Sequence, residues 1–239
     1  MAFELSPDVH VRRDSQGHVR QLSHPASPYR PQLLEEGAER GETLTPRALS
    51  DQYLRDVRGI LDVQPEDLQF MEERSITGSV TVFYSQTLFG LPIWDAAIAV
   101  RISTGPMYVT GSDNGAHYHV DVVRPPADSP YGPHRVDVAT LRKLLNLTPS
   151  QQPAVESTRL LIYCYVPGEV IEPHVSVADT NGSRFPTLPI PQVPVMITPN
   201  RYYVVTEALF SLATDEWGTL HWRAFVEPVS GAVLYLRTL

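Results

Sequence analysis

Phe83–Val100, FYSQTLFGLPIWDAAIAV, is the stretch that decides how this 239-residue chain reads. Upstream of it, Val80, Val82 and Tyr84 alternate with Thr81, Phe83 and Ser85, the period of two that marks a strand. Downstream, Ile93 to Ile102 is again strand-like, and Gly90, Leu91 and Pro92 stand between the two as a reversal. The spacing predicts strands over 79–88, 93–102, 107–110 and 117–123. Ser112-Asp113-Asn114-Gly115 has the composition of a hairpin turn before the last of them.

Before these strands, Thr45-Pro46 has the signature of a helix start: a hydroxyl that accepts from the first turn, followed by a residue whose missing N–H costs nothing there. Leu49, Tyr53, Leu54 and Val57 recur on one face, and Gly59 is the expected end. Further upstream, His10 to Arg13 and His18 to Leu22 flank Asp14 to Gly17 as a small hairpin, followed by a Pro-rich stretch. In the second half, Asp137 is a candidate cap for a helix over 137–147, with Val138, Leu141, Leu144 and Leu145 as its apolar face. RLLIYCYV at 159–166 is a strand whose continuous apolar run implies burial on both faces. Residues 201–213 and 219–237 contain the last strands, with turns at Asp215 to Gly218 and Glu227 to Gly231. The segment 167–199 holds seven prolines, which remove backbone donors and exclude much of it from a central strand.

The organisation expected is α+β, two similar modules that each set a helix against an antiparallel sheet. An extended N-terminal arm occupies 1–43 and the first module 44–123. VRPPADSPYGP lies in a linker at 124–136, and the second module spans 137–239 with a Pro-rich insertion at 167–199.

Composition narrows the function classes. The apolar fraction of 42% against 19% charged residues supports a packed core. Net charge is −8, which argues against nucleic-acid binding, because phosphate neutralisation demands cationic surplus. Cys164 stands alone, so no internal disulfide forms, and its apolar neighbours mark it as a small buried hydrophobe. No apolar run is long enough to span a membrane, and the opening residues lack the apolar core of a signal peptide.

Chemistry-bearing patterns are few. His117 and His119 are two apart, which on a strand places both on one face. With His174 or Glu172 they compose a conceivable zinc set, but the HExxH pattern of a zinc protease is absent. Glu35-Glu36, Glu72-Glu73 and Asp215-Glu216 are adjacent in sequence, so their side chains diverge and read as solvated faces. Neither a nucleophile elbow nor a phosphate-binding glycine loop occurs. No catalytic residue, metal ligand or cofactor is assigned.

The run Gln86, Thr87, Gly90, Pro92 and Trp94 resembles the signature strand pair near the start of fungalysin- and thermolysin-type metalloprotease propeptides. Asp95 departs from it, where those propeptides carry glycine. Trp222 to Tyr235, WRAFVEPVSGAVLY, is similar to the strand, turn and strand that close the PepSY-type module of the same propeptides. Glu227, Ser230 and Gly231 take the acidic, hydroxyl and glycine positions. The resemblance implies cystatin-like sheets and a prodomain without its protease. It implies a non-enzymatic protein that binds, inhibits or helps fold a zinc metalloprotease in an extracellular setting. Gln86, Thr87, Gly90, Pro92, Trp94, Trp222 and Gly231 are then motif and interface residues. The alternative is a protein-binding or assembly domain on the same scaffold, unrelated to protease control. It would engage an extended chain through the Pro-rich 185–199 segment or an exposed sheet edge. A third possibility is an enzyme built around His117, His119 and His174.

Overall fold

The computed structural model describes residues 6–26, 28–30, 44–167, 188, 191–214 and 217–239. The chain divides into two compact units, Met1–Tyr118 and His119–Leu239. Most of the Pro-rich segment, His174 and Glu172 within it, and Glu35, Glu36, Asp215 and Glu216 lie outside the described residues.

In the first unit six strands pair antiparallel: β1 (His10–Arg13), β2 (Val19–Ser23), β3 (Leu68–Ile76), β4 (Ser79–Leu88), β5 (Leu91–Thr104) and β6 (Met107–Asn114). Their order across the sheet is β1-β2-β6-β5-β4-β3. Helix α1 (Pro46–Leu61) opens as expected, with Thr45 Oγ1 accepting from the Ala48 N–H at 3.1 Å. It continues past Gly59 to Leu61, and Asp62 caps it in a left-handed conformation (φ 53°). Gly59 is tolerated inside the helix because Val57 and Leu61, on either side of it, are both buried and anchor the last turn.

The buried face of α1 (Leu49, Tyr53, Leu54, Val57, Leu61) packs with Val80, Val82, Tyr84, Ile98, Val100 and Ile102 in one core. Tyrosines tie helix and sheet together across that core. Tyr53 Oη lies 3.1 Å from Ser112 Oγ and 3.2 Å from His24 Nε2, and Tyr84 Oη donates to Asp51 at 2.6 Å. Tyr29 donates to Asp56. Burial pushes the Tyr53 phenol up to about 12, so it stays a neutral donor.

The second unit holds β7 (Ala154–Cys164), β8 (Tyr202–Thr214), β9 (Gly218–Val226) and β10 (Val233–Thr238), antiparallel in that order. Helix α2 spans Val138–Leu144. Leu141 and Leu145 join Ala208, Phe210, Leu212, Trp222, Ala224 and Val226 in the second core. On the other face of this sheet Tyr163, Phe225 and Tyr235 make a buried aromatic cluster, with Phe225 and Tyr235 stacked at 4.6 Å. Burial of Leu161, Ile162 and Tyr163 in succession agrees with a strand covered on both faces, while Cys164 itself is only half-buried.

These elements overturn the expected fold class. Among the described residues ten strands dominate, and the two α-helices have only 16 and 7 residues, so the chain is not a pair of similar helix-plus-sheet modules. Asp137 does cap α2, accepting from the Thr140 N–H at 2.8 Å, but the helix stops at Leu144 and Asn146 turns left-handed (φ 50°). Val138, expected on the apolar face, is exposed. Strand β3 has no counterpart among the expected strands, because from Met71 to Ile76 every residue but Glu72 is exposed and no alternation survives.

The expected turn at 112–115 and strand at 117–123 are also corrected. Ser112, Asp113 and Asn114 belong to β6, and no strand follows between Gly115 and Val123. Gly111 explains how β6 can run here: a Cβ on it would come 2.4 Å from the Leu22 carbonyl oxygen of neighbouring β2. Asn114 ends the strand. Its Nδ2 donates to the Val19 carbonyl at 2.9 Å and the Leu61 carbonyl at 3.2 Å, and its Oδ1 accepts from Ala116 N–H at 3.0 Å. A buried asparagine thus ties strand to helix where composition points to a surface turn.

Candidate functional site

The motif residues of the first unit surround the β4–β5 hairpin. Thr87 pairs with Pro92 and Leu88 with Leu91, leaving Phe89 and Gly90 as a two-residue turn. Both have positive φ (56° and 75°), the requirement of the tight hairpin turn whose twist matches the strands. Gly90 meets that requirement without strain; Phe89 meets it as a residue 57% exposed at the tip. Gln86 sits beside the register shift in β4 and uses its amide as a backbone substitute. Its Nε2 donates to the His117 carbonyl at 2.9 Å and its Oε1 accepts from the His117 N–H at 2.8 Å. Thr87 Oγ1 donates to the Asp67 carbonyl at 3.0 Å. Gln86 and Thr87 therefore hold two loops against the hairpin. Trp94 is half-buried, and the departing residue Asp95 is exposed with φ 61°.

In the second unit Trp222 is core, stacked with Phe210 at 6.5 Å between ring centres. Gly231 closes the β9–β10 connection with φ 74°, and a Cβ there would lie 2.8 Å from the Tyr131 ring. The Glu227 carboxylate accepts from the N–H groups of Val229 and Ser230, fixing the same turn. The structure thus brings Gln86, Thr87, Gly90, Pro92 and Trp94 to one hairpin, and Trp222 and Gly231 to another in the other unit.

The histidine reading changes with β6. His117 and His119 do not share a strand, and His119 is left-handed (φ 57°). Among the described residues no three His, Cys, Asp or Glu side chains converge to hold a metal ion. Of the adjacent carboxylates, Glu72 pairs with Arg74 at the surface.

Two features lie beyond what the sequence patterns indicate. One is β3, nine residues long, which forms the outer edge of the first sheet and pairs only with β4 among the described residues. Met71 and Ile76 on it are 55% and 72% exposed. The other is Glu207 in β8, only 2% exposed, with Arg159 on one carboxylate oxygen and Arg223 Nε 2.8 Å from the other. The Arg223 contact is a close ion pair rather than an aligned hydrogen bond. Isolated charges in an apolar strand pattern are the available signal: RLLIYC and VVTEALF each carry one.

Buried His24 and half-buried His117 are expected to give the first unit a pH dependence. Burial holds the pKa of His24 and of His117 below the ordinary histidine value, with nearby Asp8 and Asp95 opposing only in part. Below about pH 6.5 the unfolded chain then binds protons that the folded chain refuses. Stability is therefore expected to fall as pH drops through that value. Urea denaturation between neutral and mildly acidic pH checks this. The His24→Gln variant, which keeps a polar partner for Tyr53, is expected to show a shallower loss. An unchanged slope would count against His24 as a contributor.

The chain matches no protein-family model and no curated protein. Among solved structures it is similar to the Bacillus megaterium YpeB C-terminal domain, with 10% identity and a TM-score of 0.37, over 97% of this chain and 76% of that one. A likeness of that degree carries no argument about fold or function. The fungalysin and thermolysin propeptide resemblance is not confirmed by it and rests on the motif residues alone. Among the described residues no helix is long and apolar enough to cross a membrane.

Proposed function

We propose that this protein is a non-enzymatic binding module that receives an extended segment of a partner protein along the outer edge of β3. The observation that carries the reading is β3 itself. A long edge strand offers a row of backbone donors and acceptors, and exposed Met71 and Ile76 offer side-chain anchors beside them. The register shift between Phe70 and Glu72, and the charges of Glu72, Glu73 and Arg74, make the edge selective. They oppose indiscriminate sheet extension while leaving room for a complementary strand.

The motif residues support a zinc metalloprotease as the partner. Their roles here are architectural: Gln86 and Thr87 hold loops, Gly90 and Gly231 turn hairpins, and Trp222 fills a core. That is what a prodomain-like scaffold asks of them. Cofactors and catalytic residues have no part in the reading.

The test uses the full chain as bait for a zinc metalloprotease from the native source, compared with the Met71→Lys/Ile76→Lys double variant. Both positions are exposed, so the variant is expected to fold normally and to lose binding by at least about tenfold, since each substitution removes an anchor worth about a kcal/mol or more. Amide hydrogen exchange is expected to slow along β3 in the complex. Exchange that slows elsewhere, with β3 unchanged, would refute the edge-strand reading. Binding at β3 by a protein other than a protease would retain the binding module and remove the metalloprotease.

A further inference from the structure

Two requirements of the fold place a chemically labile pair of residues, Asn114-Gly115, at the end of β6. The first is for a side-chain amide. Asn114 is 3% exposed, and its Nδ2 donates to the Val19 carbonyl at 2.9 Å and the Leu61 carbonyl at 3.2 Å. The second excludes any side chain at the next position. A Cβ on Gly115 would lie 2.8 Å from the Ala97 carbonyl oxygen, which also accepts from the Gly115 N–H at 2.8 Å. In a flexible chain an asparagine followed by glycine cyclises readily, because no side chain hinders attack of the glycine nitrogen on the asparagine Cγ. The deprotonated nitrogen forms the new C–N bond, the Cγ–Nδ2 bond breaks, and ammonia leaves with a proton from water. Water then opens the succinimide at either carbonyl, giving aspartate or isoaspartate.

We propose that Asn114 is a modification site that only the unfolded chain exposes, and that its conversion to aspartate or isoaspartate closes the way back to the native first unit. In the folded chain both reacting groups are engaged. The Gly115 nitrogen is tied to Ala97, and the Asn114 amide is tied to carbonyls of β2 and α1, so neither turns toward the other. After reaction, aspartate still accepts from the Ala116 N–H but has no donor, and it sets a carboxylate against the Val19 and Leu61 carbonyl oxygens. A buried charge facing like partial charges is costly. Tyr118 Oη, 2.8 Å from Nδ2, can donate to that carboxylate only by leaving the Leu61 carbonyl. Arg20, whose Nη1 is 3.4 Å from the Asn114 carbonyl, is already held by Asp14 and by the Ala116 carbonyl. Isoaspartate adds a carbon to the backbone, which displaces Gly115 from its bond to Ala97. Prolonged unfolding of this unit therefore becomes irreversible through one amide. The inference does not depend on what binds at β3.

The experiment incubates the full chain in mildly alkaline buffer, folded and in guanidinium chloride, and follows it by tryptic mass spectrometry. Trypsin separates Asn114, in 102–135, from Asn181, the other asparagine followed by glycine, in 160–184. Asn181 serves as the clock for the unfolded chain. In denaturant Asn114 is expected to convert at about the rate of Asn181. In the folded protein it is expected to convert on the order of a hundredfold more slowly, because reaction then waits for opening of the unit. On dilution from denaturant, chains converted at 114 are expected to be depleted by at least about tenfold from the folded fraction in size-exclusion chromatography. Asn114→Asp is expected to lower the thermal midpoint by about 10 °C or more. Should that variant not accumulate as folded protein, the refolding of the converted parent chain decides the outcome. Conversion at 114 as fast in the folded protein as in denaturant would overturn the proposal. So would an Asn114 that stays intact in denaturant while Asn181 converts, or converted chains that refold in the same share as unconverted ones.

Discussion

Glu207→Ala is expected to destabilise the second unit by about 3–5 kcal/mol, the usual consequence of removing one partner from a buried ion pair. Glu207 is 2% exposed and lies between Arg159 and Arg223. Without it, the largely buried Arg223 guanidinium faces Arg237 directly across the β9–β10 pair, with no carboxylate at position 207 to offset the repulsion. Urea denaturation followed by tryptophan fluorescence measures the loss, and Trp222 reports on this unit. Arg159→Ala is the useful contrast. Its side chain is mostly solvated, so the pair it makes is screened and its removal is expected to cost about 1 kcal/mol or less. Equal, small losses in both variants would mean that water reaches Glu207 in solution.

Trp222→Ala is expected to cost about 3–5 kcal/mol, because the indole fills the second core and the cavity left behind cannot fully collapse. Trp222→Phe is expected to cost far less, about 1 kcal/mol. The phenyl ring keeps the stacking on Phe210, and it removes an indole N–H that is buried without a hydrogen-bond partner among the described residues. Thermal unfolding by circular dichroism separates the two variants. The contrast also decides what the C-terminal motif does. A stable Trp222→Ala protein that no longer binds its partner would make Trp222 an interface residue. A destabilised one makes it a core residue that the motif places for packing.

Local signals of similar clarity lead to different outcomes in this chain. The cap at Thr45 and the first hairpin about Gly17 are legible in sequence, because each rests on local chemistry: a hydroxyl beside unsatisfied N–H groups, alternation on either side of a turn. The reversal expected at Gly90, Leu91 and Pro92 is met only at Gly90, since the turn is Phe89–Gly90 and Leu91 and Pro92 already belong to β5. Ser112-Asp113-Asn114-Gly115 carries an equally clear local signal, yet its first three residues are strand. The side chain of Asn114 is spent on carbonyls of β2 and α1 that no nearby residue announces. The edge strand β3 is invisible in sequence for a related reason. A strand with neither face covered over most of its length shows no apolar period, and only its pairing with β4 makes it a strand.

The candidate sites divide in the same way. Motif residues such as Gln86 and Gly231 stand out in sequence, but their function as loop clamp and turn emerges only from the distant backbone and ring that they meet, His117 and Tyr131. Arg159, Glu207 and Arg223 are scattered over three strands with nothing in their spacing to connect them.

By itself the sequence determined where the first hairpin turns, where the two described helices start and that the run at 161–163 is buried, because those depend on neighbours within a few residues. Only the tertiary structure decided that strands outweigh helices among the described residues, that β3 is an edge and that one buried carboxylate lies between Arg159 and Arg223. Sheet pairing joins residues far apart in the chain, and burial of a charge depends on what those pairings place around it.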